Sequence, residues 1–208
     1  RHPEHAPVLR NQLALMYQFQ EKDKAAEKLM RRSLRHHPHH AQTKNGLAYF
    51  WAQRGRNLDR ALELAREANR AQPRSHAILD TLGWVHYKRG EFEKARQYLE
   101  ASRERAKQIQ GLGDPIILDH LGDTYWRLRK IGEATRAWQQ ASNLLKKREG
   151  GPVTNPEIEG LDKRLANKLT AEPVQRRHVA PAPGVDAPAD RTSQTQPSSA
   201  RPATQPAR

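Results

Sequence analysis

Candidate chemistry sits in three places along the 208 residues. His36, His37, His39 and His40 flank Pro38 and supply the imidazoles that suit zinc, copper or nickel. Asp80, Asp119 and Asp123 share the stretches that hold the large rings Trp84, Tyr87 and Trp126. Basic runs stand at Arg31-Arg32, from Arg103 to Lys107, and at Lys146-Lys147-Arg148. The chain has no cysteine, which excludes disulfides, thiolate metal sites and cysteine nucleophiles. No paired-carboxylate, Ser-His-Asp or phosphate-cradling glycine pattern can be placed, and Gly111-Leu112-Gly113 reads as a loop. The histidines fall where a helix should end, and partial protonation there suits the negative end of the helix dipole. No metal, no cofactor and no catalysis are expected.

The elements that carry these residues recur. A leucine followed by a small residue appears as Leu13-Ala14, Leu47-Ala48, Leu82-Gly83 and Leu121-Gly122. A ring follows three residues on, at Tyr17, Trp51, His86 and Tyr125. Then come Ala26, Ala61, Ala95 and Ala134, and a second small site at Ser33, Ala68, Ser102 and Ala141. The small residues at positions 14, 48, 83 and 122 are spaced by 34, 35 and 39 residues. The surplus in the last interval is assigned to a loop at 110–114. Each copy reads as two antiparallel helices whose small residues let the backbones approach. One pair cannot bury its own core, so several must stack.

The L-G-x-x-Y…A-x-x-x-F…A…P arrangement resembles the tetratricopeptide repeat (TPR) family over roughly residues 6–147. The copies running Leu82 to Ala95 and His120 to Ala134 look like repeats of bacterial arrays. Departures are Lys107 and Lys146 in place of a closing proline (Pro38 and Pro73 in the first two copies), and Arg10 and Lys44 in place of apolar residues. The resemblance implies an all-α, right-handed superhelical solenoid of four repeats, at about 7–40, 41–75, 76–114 and 115–147. A capping helix is expected over 155–170, with Asn155, Pro156 and Glu157 opening it and Ile158, Leu161, Leu165 and Leu169 on its apolar side. Lys168 is assigned to its charged side. A disordered tail rich in Pro, Ala, Ser, Thr and Gln is expected over 171–208, where seven of the 14 prolines lie.

TPR proteins usually hold partners on the concave face, which implies a non-catalytic scaffold for a protein or peptide segment. Alignment puts Asn45, Tyr49, Asp80, Trp84, Tyr87, Asp119, Asp123 and Trp126 in that groove. Read as exposed rings beside carboxylates, they favour a partner segment with basic or aromatic residues. The clamp for acidic chaperone termini is disfavoured, since Asp80 and Asp119 stand where it needs cations. Two alternatives stay open: a basic array for nucleic acid or another polyanion, and the docking arm of a larger enzyme truncated at Arg1. The net charge is +14, and residues 1–150 carry 29 Lys/Arg against 17 Asp/Glu. The aromatics nonetheless sit with acids rather than along a basic stripe, which disfavours nucleic acid. No apolar run approaches the roughly 18 residues of a membrane span. The first helix, with Val8, Leu9, Leu13, Leu15 and Met16, is apolar nearly all round. It is expected to be covered, by a preceding repeat or by self-association.

Overall fold

The computed structural model describes residues 6–111, 113–147, 158 and 160–170. The expected tail and the opening of the capping helix at Asn155, Pro156 and Glu157 lie outside these residues. All regular structure among them is α-helical: α1 (Ala6–Phe19), α2 (Asp23–His36), α3 (Ala41–Gln53), α4 (Leu58–Ala71), α5 (His76–Lys88), α6 (Phe92–Gln110), α7 (Pro115–Arg127), α8 (Ile131–Lys147) and α9 (Leu161–Thr170). None is long and apolar enough to cross a membrane.

Odd-numbered helices α1 to α7 are the first (A) and even-numbered α2 to α8 the second (B) members of four hairpins. Each A helix packs on its own B helix, and each B helix packs on the next A helix. The small residues make this possible. Ala26, Ala61, Ala95 and Ala134 have no exposed surface, nor do Ser33, Ala68, Ser102 and Ala141. Three of the ring positions, Trp51, His86 and Tyr125, are buried beside them. The apolar core therefore runs the length of the array, from Ala14 through Phe50, Leu82 and Leu99 to Trp138, Leu161 and Leu165.

Helix lengths follow from where the breakers stand. α2 and α4 have 14 residues each, stopping before Pro38 and Pro73. Proline lacks the amide hydrogen that would continue the helix. The third copy has no such proline, and α6 runs 19 residues through Glu104, Ala106 and Lys107 to Gly111, whose φ is +75°. The extra length expected at 110–114 is thus taken up by the helix. The connector after α6 has the same four-residue length as the one after α4. α8, also without a closing proline, has 17 residues.

Of the two polar departures in the A helices, Lys44 is accommodated locally and Arg10 only in part. Lys44 reaches Glu67 on α4 at 2.6 Å. Arg10 keeps one buried guanidinium nitrogen without a hydrogen-bond partner. Between neighbouring hairpins the same ionic tie recurs: Arg54 at the end of α3 bonds Asp23 at the start of α2, and Arg89 after α5 bonds Asp59 at the start of α4.

Candidate binding face

The eight residues expected in the groove lie on α3, α5 and α7, one A helix after another. Tyr49, Trp84, Tyr87 and His120 form a ring set across these three helices. Trp84 stacks on His120 at 3.9 Å between centroids and on Tyr87 at 4.6 Å, with interplanar angles of 14° and 4°. Tyr49 lies 6.1 Å from His120 in a tilted arrangement. Asp80 accepts a hydrogen bond from Nδ1 of His120 at 2.9 Å, which fixes the imidazole plane against the indole. Trp126 packs 6.0 Å from Trp138.

The expectation of exposed rings and free carboxylates is corrected at four of these positions, by burial at Trp84, Asp80 and Asp119 and by pairing within the chain at Asp123. Trp84 is 6% exposed, Asp80 6% and Asp119 7%. The cation expected from a partner comes from the chain itself: Nζ of Lys168 on α9 lies 2.7 Å from Asp119 and 2.6 Å from Asp123. Asp123 also accepts a hydrogen bond from the indole of Trp138. Lys168 thus faces inward, contrary to its assignment to the charged side of α9. Seven residues is almost two helical turns, so position 168 falls about 20° from buried Leu161. The helical repeat contained that signal.

Burial sets the ionisation of this cluster. It pushes the Asp123 carboxyl up; the charge of Asp119 adds to this and Lys168 opposes it. Burial also works against the Lys168 ammonium, but Asp123 and Asp119 outweigh it and hold its pKa above the usual lysine value. The Tyr87 hydroxyl is raised by burial, with Asp123 adding to the effect. Lys88 was missed in the sequence. It is buried, places its amine 4.8 Å over the Trp84 ring, and burial lowers its pKa to about 8 against the pull of Asp123.

What remains open on this face is a half-buried set: Asn45, Tyr49, Tyr87, Asp123 and Trp126. Asn45 has a buried side-chain oxygen that accepts no hydrogen bond. In the histidine cluster the structure shows a role for His40. His40 caps α3 by accepting from the Thr43 amide at 3.2 Å. Among the described residues no group of three His, Asp or Glu side chains converges as a metal site would require.

Comparison with known proteins points to the same family as the repeat pattern. Residues 77–115 match the family model of the tetratricopeptide repeat. A TPR repeat-containing protein of Pseudomonas aeruginosa is 32% identical over 97 residues, which is 47% of this chain and 15% of that protein. The array is of the TPR kind. It superposes on a thermophilic TPR protein of Thermus thermophilus with a TM-score of 0.61 at 17% identity, covering 83% of this chain and 95% of that one. It also superposes on pilF of Pseudomonas aeruginosa with a TM-score of 0.56 at 19% identity, covering 83% and 80%. These two likenesses show the shared fold. The TPR family is generally one of non-catalytic, protein-binding scaffolds. The TPR chain described here spans 15% of the length of its curated relative.

Proposed function

We propose that this TPR array is a non-catalytic scaffold that holds a protein segment against α3, α5 and α7. The observation carrying the reading is the ring set Tyr49, His120, Trp84 and Tyr87, which ties three successive A helices together, with buried Trp84 and His120 bracing the half-buried rings of Tyr49 and Tyr87. Aromatic side chains held in place by their neighbours lose little entropy when a partner packs on them. Asn45, Tyr49, Tyr87, Asp123 and Trp126 make the contact. Trp84, Asp80 and Asp119 lie beneath and hold the contacting groups in position. The unpaired oxygen of Asn45 suits a donor on the partner's backbone.

The test uses Tyr49→Ala with Trp126→Ala, which spares buried Trp84, beside a control variant, Arg66→Ala, at an exposed position of α4. A partner recovered with the wild type should be kept by the control and lost by the double variant, with helical content unchanged. Equal capture by all three rejects the reading. Salt separates it from the polyanion alternative: an aromatic surface holds at high ionic strength, whereas binding through phosphate contacts falls steeply with added salt.

A further inference from the structure

The array supplies three internal references for what an A helix normally meets. Leu9, Leu13 and Met16 of α1 align, at the repeat spacings, with Thr43, Leu47 and Phe50 of α3 and with Ile78, Leu82 and Val85 of α5. On α7 the same positions are Ile117, Leu121 and Thr124. All nine equivalents are at most 3% exposed, whereas Leu9 is 62%, Leu13 41% and Met16 56% exposed. Each of α3, α5 and α7 packs against the B helix of the preceding copy as well as against its own. Ile78, the equivalent of Leu9, is clustered with the small residue Ala68 of α4. α1 meets no such helix among the described residues.

The sequence ahead of α1 supplies an independent observation. His2-Pro3-Glu4-His5-Ala6 aligns with His37-Pro38-His39-His40-Ala41 and with Gln72-Pro73-Arg74-Ser75-His76, at successive intervals of 35 residues. The last two stretches are connectors from a B helix to the next A helix, joining α2 to α3 and α4 to α5. Arg1 stands in register with His36 and Ala71, the final residues of α2 and α4.

We infer that the bare face of α1 is the seat of a B-type helix from a further copy of the repeat, immediately upstream in the same polypeptide. The chemistry of that helix follows from its counterparts. Ser33 and Ala68 each lie five residues before their proline, and Ala26 and Ala61 lie twelve before it. The occupant therefore carries small residues five and twelve positions before Pro3. Leu9, six residues after its proline where Ile78 is five after Pro73, seats on the nearer one as Ile78 does on Ala68, the extra residue falling between Pro3 and the register of α1. The remaining apolar positions of that helix cover Leu13 and Met16.

The inference is tested by comparing residues 1–208 with the natural polypeptide extended upstream by one repeat, each with and without Leu9→Asp plus Met16→Asp. In the extended protein the amides of α1 should exchange at least tenfold more slowly. The double substitution should abolish that protection there, and leave the melting temperature of the 1–208 span unchanged because the altered side chains are already solvated. Unchanged exchange in α1 on extension overturns the inference. So does an extended protein that dimerises through α1 and is made monomeric by the double substitution, because the face would then belong to a second copy of the chain.

Discussion

A methyl group added to Gly122 would enter the indole of Trp138, against Nε1 and Cδ1 and 2.8 Å from Cε2. One added to Gly83 would lie 2.5 Å from Cγ of Leu99 and 3.2 Å from the carbonyl oxygen of Ala95. Trp138 and Leu99 are buried and cannot swing out, so relief requires α7 or α5 to move off its B helix. Overpacking of this kind costs about 1–3 kcal/mol. Gly122→Ala is expected to reach the upper end and Gly83→Ala the lower, because a fused ring yields less than a leucine. Urea unfolding of the two variants measures the order.

Lys88 supports a second experiment on single residues. Its folded pKa of about 8 lies below the ordinary lysine value of 10.5, so the folded state disfavours its proton. Between these two values the unfolded chain binds the proton and the folded chain does not, so this group's contribution to stability rises with pH. Below pH 8 the ammonium is carried into the fold at a cost. Lys88→Met removes that cost and should stabilise the protein at pH 7 by about 1–3 kcal/mol. The advantage over wild type should shrink between pH 8 and 10.5. Paired denaturation curves at pH 7 and pH 10 would show it, and a difference independent of pH would contradict it.

The hairpin turns show what was legible at the level of elements. Each A-to-B turn holds a residue in the left-handed region at the same register, Glu21 (φ +55°), Gly55 (+62°), Gly90 (+76°) and Arg129 (+62°), and the α3–α4 turn adds a second at Asn57 (+51°). Gly55 and Gly90 announced the turns in the sequence; Glu21 and Arg129 occupy the same conformation without the residue that favours it. Arg129→Gly and Glu21→Gly should each stabilise the array by up to about 1 kcal/mol, and Gly90→Ala should cost a similar amount. Thermal melts of the three variants check both signs.

The repeat itself was readable because steric demand recurs: a small residue is needed wherever two helices close in, and Ala26, Ala61, Ala95 and Ala134 satisfy it alike. The candidate face was less readable. Alignment placed Trp84 and Asp119 on A helices, where the structure has them. Their burial depends on partners 36 and 49 residues away, His120 and Lys168, which no local pattern ties to them. The length of α6 was misassigned for a related reason, since a missing proline lets a helix run on and Gly111-Leu112-Gly113 drew attention to the loop instead.

The α9 helix adds an element-scale prediction. Lys168 is the counter-ion to two acidic groups in the array, and removing one partner of a buried pair costs about 3–5 kcal/mol. Lys168→Met should fall at the low end of that range, since the lysine keeps some exposure, 13% of its side chain. Adding Asp123→Asn should recover part of the loss by removing one of the two stranded charges. The raised pKa of Lys168 means that its contribution is fully present below pH 10.5 and lost above it, as the pH passes the still higher folded value. A double variant no more stable than Lys168→Met alone would show that α9 is held by Leu161 and Leu165 rather than by the ion pairs.

A stacked array is nearly one-dimensional, so each hairpin is held mainly by its two neighbours. α5, α6 and α7 have neighbours on both sides and enclose Leu82, Leu99 and Leu121, all buried. At one end α9 lays Leu161 and Leu165 against the last hairpin, closing the core around Trp138. At the other end Leu9 and Met16 are majority-exposed and Arg10 leaves a buried nitrogen unbonded. Among the described residues, the burial that would oppose fraying is therefore missing on that side. Native-state hydrogen exchange of this span should show opening that begins at α1 and α2 and spreads toward α5. Amides of α1 should exchange about a hundredfold faster than those of α5, a local stability gap of about 2.7 kcal/mol at roughly 1.4 kcal/mol per tenfold. Leu165→Ala, which damages the other cap, should speed exchange in α8 and leave the rates in α1 unchanged. Equal protection along the whole array, or a response of α1 to that distant substitution, would mean that the hairpins unfold as one cooperative unit and that neighbour contacts do not set local stability.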